Sequence, residues 1–246
     1  MLRGIPGRRM QSLEESSFDA WIKLYRRDEN SVNSSVSYYL KGAMAVFMLD
    51  LHIRMESGGT RSFDDILRAL WARQRDTDQA IAPEEVNELL SDAAGMNLTA
   101  QIDAWVRSRD DLPFEEMLGR FGLKLTGKHK DSYTRPGEQN GSPAPWMGIT
   151  SKTVRGLTIV HEVRRDGPGH EADIASGDEL IAIDGLRLDP GGLKKRLALF
   201  TPGQTLSLTL SRRHEILERE LTLAERPFDG YTVALDENLT DDQRAS

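Results

Sequence analysis

The spacing of apolar residues changes character halfway along this chain, and that change limits the folds open to it. Up to about residue 120 the apolar positions recur three and four apart, as on helix faces. Beyond Trp146 they alternate, as in Leu206, Leu208 and Leu210 between Ser207, Thr209 and Ser211. Between the two lies Lys128 to Pro145, rich in Gly, Pro and polar residues, with the composition of a linker or long loop. Two units of different class follow, helices first and then a small β-rich module.

In the helical part, Leu13, Phe18, Trp21, Ile22 and Tyr25 predict one helix over Ser12 to Tyr25. Asn33, Ser34, Ser35 and Ser37 offer N-caps for a second helix, Tyr38 to Met55. Its middle is apolar on nearly every side, which predicts burial between other elements. Ser62-Phe63-Asp64-Asp65 caps a third helix with Ile66, Leu67 and Leu70. Pro83-Glu84-Glu85 opens a fourth, with Val86, Leu89 and Leu90 inward and Gly95 as its stop. Thr99 to Val106 and Pro113 to Phe121 predict two more.

In the β part, strands are expected at Leu157 to Val160, Glu179 to Ile183 and Glu218 to Leu223, with a helix from Gly192 to Phe200 carrying Leu193, Leu197 and Phe200. The segment after Asp229 is expected to fray.

Composition excludes several kinds of chemistry. With no cysteine there is no thiol nucleophile, disulfide or thiolate metal site. A net charge of −7 argues against nucleic acid, which needs a basic surface. The acidity concentrates between Asp76 and Glu116 and reads as a solvated helical face. Lys194, Lys195, Arg196, Arg212 and Arg213 form a small basic patch, either solvated or docked against the acidic helices. The longest apolar run, Ala43 to Leu49, is far short of the roughly 20 residues of a membrane span. The first residues have no apolar core of a signal peptide, so the compartment stays open, cytoplasmic or periplasmic.

Chemistry gathers at one place. Tyr38, Tyr39 and Lys41 stand at the start of a helix that dives from a surface into a core, where donors for a developing negative charge can be held rigidly. Read by itself, Tyr39 is a half-buried packing residue and Lys41 an ordinary snorkelling lysine.

Two resemblances add to this. Gly167-Pro168-Gly169-His170-Glu171-Ala172 followed by Ile174 to Gly185, with Gly177-Asp178 and Asp184-Gly185, resembles the bacterial PDZ signature over roughly Trp146 to Glu225. That resemblance implies a peptide groove between the strand after Met147-Gly148-Ile149, where the family's carboxylate-binding loop sits, and the helix with Leu193 and Leu197. A docking module that binds no free peptide is the other possibility.

Ser37-Tyr38-Tyr39-Leu40-Lys41-Gly42-Ala43 resembles the S-Y-x-K-G-A element of gluzincin aminopeptidases. With Pro6-Gly7-Arg8, Ser16 to Trp21 and Ser62 to Trp71, the chain resembles the C-terminal portion of a glycyl aminopeptidase-type zinc metallopeptidase. The implied fold is multidomain α plus β. The helical C-terminal half of a thermolysin-like catalytic domain comes first, then a PDZ-like β-barrel or sandwich with one long helix. The implied boundaries are 1–127 helical, 128–145 linker, 146–227 PDZ and 228–246 tail.

By position the resemblance makes Tyr39, with Tyr38 as runner-up, the donor to the oxyanion of a tetrahedral intermediate. It implies zinc in a full-length parent, a peptide or protein substrate, and the N-terminal catalytic portion as partner. The departure is the metal site. H-E-x-x-H is missing: His161-Glu162 and His214-Glu215 begin it, but Arg165 and Glu218 stand where the second histidine must be. No metal ligand or cofactor is therefore assigned in this chain, and it is expected to be inactive alone. Met1 reads as internal to a longer parent or as the start of a truncated gene. A non-enzymatic PDZ interaction module on a helical scaffold is the alternative.

Overall fold

The structure is a computed structural model describing residues 4–129 and 144–237. Most of the expected linker lies outside the described residues. A 3-10 turn, Pro6–Arg9, leads into α1 (Leu13–Phe18), α2 (Ala20–Lys23) and α3 (Ser31–Ser34). The long helix α4 (Tyr38–Glu56) follows, then α5 (Phe63–Thr77), a 3-10 turn Pro83–Glu85 and α6 (Val86–Ala94). α7 (Thr99–Ile102) runs into a π-type turn, Asp103–Arg107, and α8 (Phe114–Arg120) closes the helical part. No described helix is long and apolar enough to cross a membrane.

The caps act as the sequence indicates. Ser12 and Glu15 form a reciprocal capping box at α1, 3.0 and 2.8 Å, and Asp65 accepts the Ser62 N–H at 2.9 Å at α5. Gly95, at φ 68°, stops α6.

α4 organises the helical core. Met48 and Leu49 pack with Trp105, Leu112 and Met117 on one side, and Ile53 packs with Ile66, Ala94, Leu98 and Ile102 on another. Each such side chain, taken fully from water, contributes about 1.5–3 kcal/mol. The lead-in to α4 is pinned by buried polar groups. The Val36 N–H donates to Gln11 Oε1 at 3.2 Å, and the Ser16 hydroxyl donates to the Val36 carbonyl. At Gly7 any Cβ would run into the backbone of Ser35, so only glycine allows that approach.

Two expectations fail here. The helix predicted over Ser12 to Tyr25 breaks at Asp19, and Phe18, Trp21, Ile22 and Tyr25 are exposed rather than packed inward. The inward residue of α1 is Ser16. Likewise α4 is not surrounded: Tyr39, Ala43, Val46 and Phe47 form an exposed stripe along it. Helical spacing defines a face, but these faces have no described element to cover them.

The β part contains β1 (Leu123–Lys128), β2 (Pro145–Trp146), β3 (Ile149–Val154), β4 (Leu157–Val163), α9 (Pro168–Glu171) and β5 (Glu179–Ile183). It continues with β6 (Leu186–Arg187), α10 (Leu193–Leu197), β7 (Thr205–Arg212), β8 (Glu215–Thr222), β9 (Ala224–Glu225) and β10 (Gly230–Leu235). The main sheet is antiparallel, in the order β3-β4-β5-β7-β8, with β6 paired to β5. It is a six-stranded sheet whose five-strand path has β3 and β8 at its ends, where a barrel or sandwich was expected. The expected long helix is the five-residue α10. Leu180, Ile183, Leu206, Leu208, Leu210 and Leu221 fill the core.

Two short ribbons flank the sheet, β2 with β9 and β1 with β10. The second was not expected: Leu123 to Lys128 pairs in register with Leu235 to Gly230, so the segment predicted to fray is ordered through β10. Arg212, expected in a solvated patch, instead holds buried Asp178 through two bonds of 2.8 and 2.9 Å. Asp178 also accepts the Ala175 N–H at 2.8 Å. The aspartate of the PDZ signature is thus a structural hub.

Asp178→Ala leaves the Arg212 fork and the Ala175 N–H without their acceptor. The expected cost is about 2–3 kcal/mol, the partial exposure of Arg212 softening the full penalty of a broken buried pair. A urea melt followed by a β-sheet signal checks it; an unchanged midpoint contradicts the hub role.

Candidate functional site

Ser37 caps α4, its Oγ accepting the Leu40 N–H at 3.4 Å, and this sets Tyr38 and Tyr39 on the first turn. The two rings stack at 4.1 Å between centroids. Tyr25, at the end of the α2 segment, brings its hydroxyl within 2.9 Å of Tyr39 Oη and 3.4 Å of Tyr38 Oη. Trp21 lies against the Tyr25 ring at 5.1 Å. Three phenols therefore meet at one point, and Tyr39 is 61% exposed, so its oxygen is not sealed inside. Tyr38, with Leu13, Glu14, Ser17, Phe18, Gly42 and Val106, lines a shallow depression of about 500 Å³ beside them.

The cluster is electrically asymmetric. Hydrogen bonding with Tyr25 first, and with Tyr38 second, holds the Tyr39 phenol below the usual tyrosine range. Hydrogen bonding to Tyr25 first and Tyr39 second pushes Tyr38 above it. Of the two stacked phenols, Tyr39 is therefore the readier to give up its proton. The sequence reading missed Tyr25, whose helical spacing from Trp21 marked it as core.

Lys41 departs from the snorkelling reading. It is 2% exposed, and its Nζ has no hydrogen-bond partner among the described residues. Desolvation lowers its pKa, opposed by the carboxylates of Asp111, Asp110 and Glu15. Those acids belong to a dense network: Arg8 and Arg9 each reach Asp111 at 2.6 Å, and Arg109 reaches Glu15 at 2.6 Å. The Arg109 bond and the Ser12 N–H bring the Glu15 carboxyl down to about 2. Asp111 of the acidic run is thus tied to arginines at the start of the chain.

The donor set does not fit a zinc ion. Among the described residues no three His, Asp or Glu side chains gather as ligands would. His52 packs edge-on against Trp105 at 6.0 Å, and desolvation lowers its pKa. His129 lies against Phe228, His161 sits in β4, His170 in α9, and His214 in the β7–β8 turn.

The second candidate site is the groove between β3 and α10. Among the described residues β3 is an end strand paired only to β4, with its other edge open. Ile149, Leu193 and Leu197 meet in a cavity of about 450 Å³ with Pro145, Ser151, Lys152, Thr153, Lys194 and Arg226. Met147 does not line it; its side chain is 1% exposed, in the core. Gly148, at φ 73°, packs so closely on Gly167 that neither tolerates a Cβ. The Met147 carbonyl accepts from Gly169 N–H at 2.7 Å, and the Gly148 carbonyl from Arg164 N–H at 2.8 Å. The loop contributes backbone, fixed from behind.

One side chain joins the two sites. Asn33 Nδ2 donates to the Val163 carbonyl at 2.7 Å, and its Oδ1 accepts the Arg165 N–H at 2.9 Å. Asn33 precedes the α4 cap by four residues, and Arg164, between its two partners, holds the loop at Gly148.

Two parts of the chain match known families. Residues 1–45 match the M61 glycyl aminopeptidase family and residues 145–223 match the PDZ domain. The crystal structure of an aminopeptidase N family protein from Idiomarina loihiensis superposes with a TM-score of 0.78 at 27% identity, covering 98% of this chain and 41% of that one. A probable periplasmic serine endoprotease, DegP-like, from Brucella suis is 35% identical over 72 residues, 29% of this chain and 14% of that protein. The chain thus spans less than half the length of either. The resemblance read from the sequence stands: a glycyl aminopeptidase segment, a PDZ domain, and an aminopeptidase N family structure that spans both.

Tyr25→Phe removes the donor to Tyr39 and is expected to raise the Tyr39 titration toward the ordinary phenol range. NMR titration of ring-labelled tyrosine reads this directly. A Tyr39 curve identical in both proteins contradicts the phenol contact.

Proposed function

We propose that this peptidase-associated chain is the C-terminal segment of a zinc aminopeptidase, contributing a wall of the active-site cleft and a PDZ domain. The observation that carries it is the exposed phenol cluster at the mouth of α4, set in a surface that is apolar and uncovered. Phe18 is 91% exposed, Trp21 78% and Ile22 70%, and Tyr39 starts the open stripe that continues through Val46 and Phe47. Apolar surface of this extent marks a surface meant for a partner. The N-terminal catalytic portion of the same enzyme is that partner in this reading, and it brings the zinc and its ligands. When bound there, zinc would act as the Lewis acid of peptide hydrolysis.

The residues of this chain have a separate task. With Tyr25 as donor in their shared hydrogen bond, the Tyr39 O–H is left to donate to oxygen that gains negative charge as a peptide carbonyl is attacked. Accepting one hydrogen bond strengthens the next one donated along such a chain. A phenol suits this role because it is neutral at working pH and held by a rigid helix start. The β3–α10 groove supports the companion role, holding an extended peptide by strand addition.

Lacking H-E-x-x-H, the zinc-loaded chain is expected to release no product from aminoacyl nitroanilides above blank. Turnover that chelation abolishes contradicts this assignment. In an enzyme completed by the N-terminal portion, Tyr39→Phe is expected to lower kcat about 100-fold, as loss of one oxyanion donor does, with KM little changed. Wild-type kcat in that variant removes Tyr39 from the reaction.

A further inference from the structure

The groove between β3 and α10 is lined by charge of one sign. Its charged lining residues are Lys152 on β3, Lys194 on α10 and Arg226 just after β9, and neither Asp nor Glu is among its lining. Arg226 is partly neutralised, its guanidinium meeting Asp229 at 2.5 Å. Lys152 and Lys194 are exposed, and neither takes part in an ion pair among the described residues. This stands out in a chain whose net charge is −7. Among other cations of the described residues, Arg8, Arg73, Arg107, Arg109 and Arg212 meet carboxylates, whereas exposed Arg26, Arg27 and Lys195 do not.

We infer that the groove selects an acidic peptide, an extended segment in which carboxylate side chains alternate with apolar ones. This rests on reading the groove as a peptide site. An added strand lies about 4.8 Å from β3 and sends successive side chains to opposite faces. Apolar residues enter between Ile149, Leu193 and Leu197. The carboxylates meet Lys152 and Lys194 at the rim, where complementary charge steers encounter and sets specificity more than it adds raw affinity. A cavity of about 450 Å³ falls within the range of ligand clefts.

The test uses the whole chain and fluorescein-labelled decapeptides in which an apolar residue alternates with Glu, or with Gln, each with a free or an amidated C-terminus. Anisotropy titrations are expected to show the Glu peptides binding about five- to twentyfold tighter than the Gln peptides at low salt. That advantage should shrink at high salt, as exposed charges are screened. Lys152→Glu combined with Lys194→Glu should abolish or reverse it. If that variant fails to fold, the salt series on the wild-type chain decides. Equal affinity for Glu and Gln peptides overturns the acidic preference and leaves the peptide groove standing. A Glu–Gln difference that vanishes in the amidated pair overturns it too, because the terminal carboxylate alone is then being read. If none of the peptides binds, the peptide groove falls and this inference with it.

Discussion

Met48, Leu49 and Ile53 bury one side of α4 against α5 to α8, and the opposite side, from Tyr39 through Val46 and Phe47, remains open. This division governs the helical half. A helix that is apolar nearly all round needs neighbours all round. The described residues supply them on one side, and the phenol cluster sits at the end of the uncovered stripe. The same arrangement that exposes apolar surface also puts Tyr39 where an external group can reach it. In the proposed reading, partner surface and catalytic wall are one surface.

The β half is held in place by connections that stiffen it against the helices. Chain enters through β1 and returns through β10, two strands that pair over six residues on each side. Asn33 supplies a second attachment by matching the donor and acceptor at the end of β4. Both bonds come from one amide that is 6% exposed, and losing either partner leaves a buried polar group unpaired. Since Arg164 holds the Gly148 loop and Asn33 leads into the α4 cap, groove and phenols stand in a fixed spatial relation.

The division of charge follows the same logic. Several arginines are held in structural pairs, as with Arg109 and Glu15 or Arg212 and Asp178, where a planar fork meets a carboxylate. The free cations at the groove are lysines, whose flexible stems and compact charges suit a ligand that comes and goes. Lys41 is the exception. Buried without a hydrogen-bond partner, it is a cost carried within the helical core rather than a surface charge.

Local chemistry made much of this legible in advance. Serine caps, the Gly95 stop, the alternation of Leu206, Leu208 and Leu210, and the glycine turns of the PDZ signature each depend on a few neighbouring residues. Hence the element types and the place of Tyr38 and Tyr39 at a helix start were determined by the sequence itself. The tertiary structure alone decided what lies against what. Tyr25 meets Tyr39 across a broken helix, β1 meets β10 from the far end of the chain, and Phe18, Trp21 and Ile22 have no cover despite ideal helical spacing. Periodicity shows that a face exists, but which surface buries it is settled by contacts between distant segments, and these leave no local trace in the order of residues.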